Sequence, residues 1–375
     1  MKGDAMNSQE GRQVILAERV TRARKEAGFP LKEAAQSLGF KNYQTLSAIE
    51  KGNRKINAHE LSAMANLQPD PLPLWRKTAN TEVKKTERAF LSFLEHYSKL
   101  ERLLNLNTRW KDIQTNYNKS DFGVQGFGLV NRLAEKIRDS LDLGSRPATN
   151  LLNILENVLR FKILHLDLEE GISAASIVDE KLGVGILINA NEVPWRRNFD
   201  LAHELFHIIT WNVFSREEVG DGSVRTKPEQ YADSFAASLL LPRSQLVESL
   251  EEITSNGEIR FVDIIELAKE FGVSTEAILW RLVNIKALKK NEVEEALRNP
   301  ELRKIDKAKR RGTFYSDKPS EFPDRYIFLA CKCVTEGTLS RGSFAYYMGI
   351  HRAEMDEYLK EHGFIEKTYE KITSS

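Results

Sequence analysis

His203, Glu204 and His207 carry the residue types and spacing best suited to chemistry in this chain, within Phe199-Asp200-Leu201-Ala202-His203-Glu204-Leu205-Phe206-His207-Ile208-Ile209. The apolar residues around them recur with a helical period, and on a helix positions i and i+4 share one face about one turn apart. Two imidazoles placed in this way suit two ligands of one tetrahedral zinc ion. Glu204 stands about 100° round the helix from His203, so it can reach a water beside the ion rather than bind the ion in the same manner. That is the place of a general base, and the spacing proposes a metal and a hydrolytic reaction together.

A catalytic zinc site takes three protein ligands and leaves one position open. The remaining histidines are scattered, at positions 59, 96, 165, 351 and 362. The best third candidate is downstream, in Glu229-Gln230-Tyr231-Ala232-Asp233-Ser234-Phe235-Ala236-Ala237-Ser238-Leu239-Leu240-Leu241-Pro242. Glu229 and Asp233 are i and i+4 on a helix otherwise built to be buried. Glu229 can face the metal while Asp233, one turn on, is placed to hydrogen-bond a ligand imidazole. No residue stands out as an oxyanion stabiliser; His165, on a β-like run, is better read as a packed or edge residue.

The elements that must position these groups read as follows. Helical patterns at 129–141 and 150–159 precede two short β-rich runs, 161–166 and 184–189, and the metal helix comes next. The second carboxylate-bearing helix, 229–241, stops at Pro242. Further helical patterns follow at 262–271, 275–288 and 291–298, then a basic stretch at 303–311 and a last small helical unit at about 322–364. The last unit has a faint helix-turn-helix look and reads better as a helical cap or partner-docking unit. Upstream, an amphipathic run from about Asn80 to Leu104 (Phe90, Phe93, Leu94, Tyr97, Leu100) is a long connecting helix that either joins domains or serves a dimer.

With 375 residues and a hydrophobic fraction of 41%, the chain has enough apolar residues for two or three cores. Its net charge of +1 rules out a polycation, so any nucleic-acid surface must come from local clustering. Cys331 and Cys333 match no zinc-finger spacing and read as two reduced thiols. The longest apolar stretches fall far short of a membrane span and no secretory leader is evident, so a cytoplasmic protein with no membrane partner is expected.

Around the metal helix the chain resembles the ImmA/IrrE family of metallopeptidases. The resemblance is carried by Ile188-Asn189, by Arg197 and Phe199 ahead of Ala202-His203-Glu204-x-x-His207, by Glu229-x-x-Ala232-Asp233-x-Phe235-Ala236 and by Leu239-x-Leu241-Pro242. Leu267-Ala268-x-x-Phe271-x-Val273-Ser274 with Arg281-Leu282 extends it, so that it covers roughly residues 125–290. It implies His203, His207 and Glu229 as the ligands of one zinc ion per chain and Glu204 as the catalytic carboxylate, with Asp233 behind the ligands. Asn198 and Tyr231 depart from residues common in the family, the first without bearing on the metal site, the second where the cleft could change.

Between Gln13 and Leu67 nine Lys and Arg stand against five Glu, a balance of +4 in a chain whose total is +1. This segment resembles the XRE-type helix-turn-helix. Leu31-x-x-Ala34-Ala35-x-x-Leu38-Gly39 matches the first helix of the motif, and Leu46-Ser47-x-Ile49-Glu50-x-Gly52-x-Arg54 the recognition helix and its exit. One residue more than usual separates Gly39 from Glu50. Asn42, Tyr43, Gln44, Thr45 and Ser47 are the expected base-edge readers, and Lys32, Lys51, Arg54 and Lys55 the expected phosphate contacts. Such modules work on double-stranded operator DNA, often as homodimers on paired half-sites.

The expected fold is mainly α: an N-terminal all-α helix-turn-helix domain (1–70), a connecting helix or linker (71–110), an α+β zincin-like peptidase domain (111–250), a trailing helical segment (251–312) and a small C-terminal helical unit (313–375). The expected function is that of a DNA-binding regulatory zinc endopeptidase that cleaves a repressor or other helix-turn-helix regulator in response to a signal. The alternative is a helix-turn-helix regulator or antitoxin whose zinc domain is structural or sensory without proteolysis.

Overall fold

The computed structural model describes residues 30–37, 42–54, 81–106, 113–168, 172–219, 225–253, 259–310 and 318–364, with Ala17, Val20, Thr21, Arg24 and Phe40. The chain is mostly helical with one small sheet, and it forms two compact units, Met1–Lys77 and Thr78–Ser375.

In the first unit helices α1 (Leu31–Ser37) and α2 (Tyr43–Glu50) pack through Ala34 and Ala35 against Leu46 and Ile49, with Val20 completing the core. The two small alanines let the helix axes approach closely. Asn42 caps α2 by accepting the Thr45 amide at 3.2 Å, one of the donors that a helix start would otherwise leave unpaired. A bidentate ion pair from Arg24 to Glu50 closes the unit from the other side, with the Arg24 pKa raised by its hydrogen bond to Glu50. Gly39 and Lys55 lie outside the described residues.

The second unit begins with α3 (Thr81–Leu103), α4 (Lys119–Ser140) and α5 (Pro147–Asn153), the last running into one π-helical turn at Ile154–Val158. A three-stranded sheet follows: β1 (Lys162–Leu166), β2 (Ala174–Asp179) and β3 (Gly183–Asn189), in the order β1-β3-β2, with β1 parallel and β2 antiparallel to β3. The central strand β3 is buried along its whole length, which is why it reads as an unbroken apolar run. Its Gly185 lets α3 lie directly on the sheet, since a Cβ there would come within 2.7 Å of Leu94 and 2.9 Å of Phe90. Strand β2 was not anticipated from the sequence, nor were the helices at Arg216–Val219 and Pro300–Arg310, the latter read as a basic stretch. β2 is a short edge strand, Ala-Ala-Ser-Ile-Val-Asp, with only its middle two residues buried, and so shows neither an apolar run nor a clear alternation.

The metal helix is α6 (Pro194–Ile209); after it come the short α7 (Arg216–Val219) and α8 (Lys227–Leu240). α6 lies on the sheet and α8 lies on α6 and α4, with Phe206, Phe235, Leu205 and Leu239 in the shared core. Helices α9 (Arg243–Ile253), α10 (Phe261–Glu270), α11 (Thr275–Asn284), α12 (Lys290–Arg298) and α13 (Pro300–Arg310) extend that core, and α14 (Asp324–Thr335), α15 (Arg341–Met348) and α16 (Met355–Glu361) make the last helical group.

α3 packs within this second unit. Its apolar face is covered by the chain's own sheet and by α14, where Phe93 meets Tyr326 at 5.0 Å between ring centroids. Beneath that contact Glu101 pairs with Arg325 at 2.8 Å and with the fully buried Lys162 of β1 at 2.9 Å. The Lys162 contact is an ion pair rather than an aligned hydrogen bond. Burial lowers the Lys162 pKa, and Glu101 works against that shift.

Glu156, in the π-helical turn, is buried, and burial reinforced by Asp324 pushes its carboxyl up to about 7 against the relief supplied by Arg325. A carboxyl whose pKa is higher in the fold than in the unfolded chain holds its proton more tightly when folded. The fold therefore loses stability as pH rises from about 4.5 to about 7, and that deficit persists above. Glu156→Gln should raise the thermal midpoint at pH 8.5 by roughly 2–6 °C and leave it unchanged at pH 4, a difference of at most about 3 kcal/mol. Equal midpoints for variant and wild type at pH 8.5 would refute this account of the turn.

Candidate metal centre and nucleic-acid interface

The metal centre is assembled by two helix starts and one buried contact. Val193 and Pro194 begin α6 where the fixed φ of proline suits a first turn, and Asn189 ties down the preceding loop by accepting the amides of Leu168 and Asn191 and donating to the Ile172 carbonyl. Thr226 caps α8 through the Glu229 amide, with Pro228 in the first turn, so Glu229 enters the site from the first turn of its helix. α8 then ends just before Pro242.

His203 Nε2 and His207 Nε2 face each other at 3.1 Å, and each is 3.3 Å from one oxygen of the Glu229 carboxylate. Separations of 3.1–3.3 Å are those of the edges of a tetrahedron with bonds of about 2.0 Å, the length of Zn–N and Zn–O bonds. Among the described residues no fourth His, Cys, Asp or Glu joins the group, so these three side chains could hold a metal ion and leave a position free. The donor chemistry fits zinc, two imidazoles and a carboxylate.

The charge balance points the same way. Burial by itself would lower the His203 pKa, yet hydrogen bonds to Asp233 and Glu229 and the field of Glu204 carry it up to about 10. Burial would raise Glu229, but the two imidazoles hold it well below the usual carboxylate range. Asp233 is likewise lowered, against its burial, by His203 and Arg225. Converging carboxylates around facing imidazoles favour positive charge in the cleft.

Behind the donors, His203 Nδ1 meets Asp233 Oδ1 at 3.1 Å, and the other oxygen of Asp233 is paired with Arg225. This fixes the ring so that Nε2 points inward. His207 has no equivalent partner: its Nδ1 is buried and unbonded among the described residues. Glu204 is buried on the flank of α6 that faces β2, and accepts a hydrogen bond from Ser176 at 2.5 Å.

Two site residues escaped the sequence reading. Ser176 comes from the unanticipated β2 and carries no sequence signal. Asp200, one turn before Glu204, is buried, and burial lifts its carboxyl to about 7 although Arg196 at 3.1 Å works against the shift. The i, i+4 spacing of Asp200 and Glu204 was the available clue. His165 stands apart from the metal group, on β1, lining a cavity with Lys85, Thr86, Asp167 and Lys318; burial, with Arg197, pushes its pKa down to about 4. Asn198 donates to the Gly272 carbonyl at 2.9 Å, and the Tyr231 hydroxyl donates to the Phe122 carbonyl at 3.2 Å, so both serve helix packing.

In the first unit Tyr43, Gln44, Ser47 and Lys51 fall on one face of α2, opposite the buried Leu46 and Ile49; Tyr43, Gln44 and Lys51 are exposed. Asn42 is exposed, but its side-chain oxygen is taken by the cap and by the Thr45 hydroxyl, and Thr45 sits on the flank. Lys32 on α1 is exposed, as is Arg54, whose guanidinium lies 6.0 Å from the Phe40 ring centroid.

The family profile of the IrrE N-terminal-like domain, a peptidase family, matches residues 158–283, and a helix-turn-helix family profile matches residues 20–67. Together they support a helix-turn-helix domain followed by a metallopeptidase-like domain. Their order along the chain matches that of the ImmA/IrrE architecture with an N-terminal XRE-type helix-turn-helix. Among solved structures a Mycobacterium tuberculosis transcriptional regulator is similar at 14% identity over 50% of this chain and 51% of that one, with a TM-score of 0.30, too low to bear on fold or function. No curated protein matches the chain. Among the described residues no helix is long and apolar enough to cross a membrane.

Two measurements probe these placements. Asp233→Ala should weaken zinc binding by roughly 10–100-fold in competition with a chromogenic chelator while the fold is kept; undiminished affinity would detach Asp233 from the metal. On operator DNA, Gln44→Ala should relax sequence preference, whereas Lys51→Ala should weaken all sequences alike and reduce the salt slope by about one. Indistinguishable effects of these two variants would count against α2 as the recognition helix.

Proposed function

We propose that this protein is a zinc-dependent endopeptidase, with one zinc ion per chain, that is stationed on operator DNA and cleaves a partner transcriptional regulator of repressor type in response to a signal. The observation that carries the reading is the triangle of His203, His207 and Glu229 donors beside the buried Glu204 carboxylate on the same helix. In this reading His203, His207 and Glu229 hold the ion. When bound, zinc supplies Lewis acidity that polarises a scissile carbonyl and eases deprotonation of water.

The chain's own residues then do the proton work. Glu204 takes the proton of the attacking water and returns it to the leaving amide nitrogen. Asp233 keeps the His203 proton on Nδ1, so that Nε2 stays a donor to the cleft. Strand β2, at the edge of the sheet and in contact with α6, offers its outer backbone to an extended peptide.

The helix-turn-helix unit adds location. Phosphate contacts from Lys32, Lys51, Arg54 and Lys55, with base contacts from Asn42, Tyr43, Gln44, Thr45 and Ser47, would hold the peptidase at a promoter in the cytoplasm, as a homodimer where half-sites are paired. Tethering raises the effective concentration of peptidase around regulators bound at the same DNA. We assign residues 1–70 to this unit, 111–250 to the peptidase domain with 71–110 leading into it, and 251–312 and 313–375 to helical supports.

Glu204→Gln should keep about one zinc per chain and keep operator binding while losing cleavage of the helix-turn-helix regulator encoded beside it, followed by mass spectrometry of the products. Cleavage at the wild-type rate in that variant would sink the mechanism. Operator binding with no proteolysis by the wild type would leave a regulator whose zinc domain is structural or sensory.

A further inference from the structure

We propose that Ser176 is the positioning residue of Glu204, fixing which carboxylate oxygen is free to take the proton; this rests on the peptidase reading above. Ser176 is the third residue of β2, paired with Ile186 of β3, and only 6% exposed. Its hydroxyl donates to Glu204 Oε2 at 2.5 Å, while Glu204 itself is 8% exposed. Among the described residues it is the hydrogen-bond donor that Glu204 has. The second buried carboxylate on this stretch of α6, Asp200, pairs through Oδ1 with Arg196, and the Ser176 hydroxyl is given to Glu204.

A glutamate side chain has three rotatable bonds, and a base that must meet water at one point loses rate when it samples several orientations. A hydroxyl has one proton to give. Donated to Oε2, it occupies that oxygen with a charge-assisted bond and leaves Oε1 as the proton acceptor. Ser176 also belongs to the strand on which an extended peptide would lie. The same residue therefore ties the base to the substrate's backbone register, a coupling that neither α6 nor α8 can supply.

The consequence is a change in turnover without a change in binding. Wild type, Glu204→Gln, Ser176→Ala and Ser176→Thr are each loaded with zinc and screened against a mixed peptide library by mass spectrometry, and kcat and KM are then measured on a cleaved peptide. Ser176→Ala should lower kcat roughly ten-fold or more with KM and zinc content within two-fold of wild type, and Ser176→Thr should restore the rate. Crystal structures should show the Glu204 carboxylate in one orientation in wild type and Ser176→Thr, and turned away from β2 in Ser176→Ala.

Wild-type kcat in Ser176→Ala, with Glu204→Gln inactive, overturns the role of Ser176 alone. No cleavage by wild type, or equal cleavage by Glu204→Gln, overturns the peptidase reading and this inference with it. If alanine costs the fold, Ser176→Val set against Ser176→Thr decides, because the two side chains have the same shape and differ in the hydroxyl. Equal kcat in that pair overturns the proposal.

Discussion

Two imidazole nitrogens 3.1 Å apart, each 3.3 Å from a carboxylate oxygen in a partly buried cleft, favour a positive charge between them. This electrostatic preference is the constraint on which the rest of the second unit depends. It requires α6 and α8 to be held at one separation and one rotation, because a turn of either helix by a single residue would swing its donor out of the cleft by about 100°. The Phe206–Phe235 contact and the aliphatic residues between the two helices hold that arrangement from beneath, and Asp233 and Arg225 hold it from behind.

The sheet is small for the load it carries. β3 is fully buried between α3 on one side and α6 on the other, and Gly185 is the point at which α3 comes close enough to exclude any side chain. The buried Glu101 and Lys162 and the half-buried Arg325 lie at the junction of α3, β1 and α14, so the last helical group is tied to the same scaffold that supports α6. Breaking one partner of such a group leaves an uncompensated buried charge, which costs more than the pair contributes. The catalytic-type residues thus rest on a framework whose own polar contacts are non-local, with Glu101 joined to Arg325, 224 residues away along the chain.

Local pattern made much of this visible beforehand. The i, i+4 histidines, the following Glu229 and Asp233, the Pro242 boundary and the apolar β3 run all depend on spacing within one element, and each falls on the helix or strand that the residues indicated. The helix-turn-helix was legible for the same reason: Ala34, Ala35, Leu46 and Ile49 form its core as their periodicity required. What was not legible has a common cause. β2 lacks a pattern because it is an edge strand with two buried residues, and it forms because β3 offers it a partner. The α3 helix showed an apolar stripe but not what covers it.

Sequence by itself determined the chemistry available: two imidazoles on one helical turn, a carboxylate beside them, a second helix bringing another, and a basic helical segment upstream. Those are short-range facts, fixed by helical geometry and side-chain type. Tertiary structure alone decided that the donors of α6 and α8 meet at 3.1–3.3 Å, that His203 and not His207 is backed by a carboxylate, and that Glu204 is pinned by a serine from the edge strand. Each of these joins residues distant along the chain, and their meeting is set by how the buried faces of helices and sheet interlock, which no local spacing encodes.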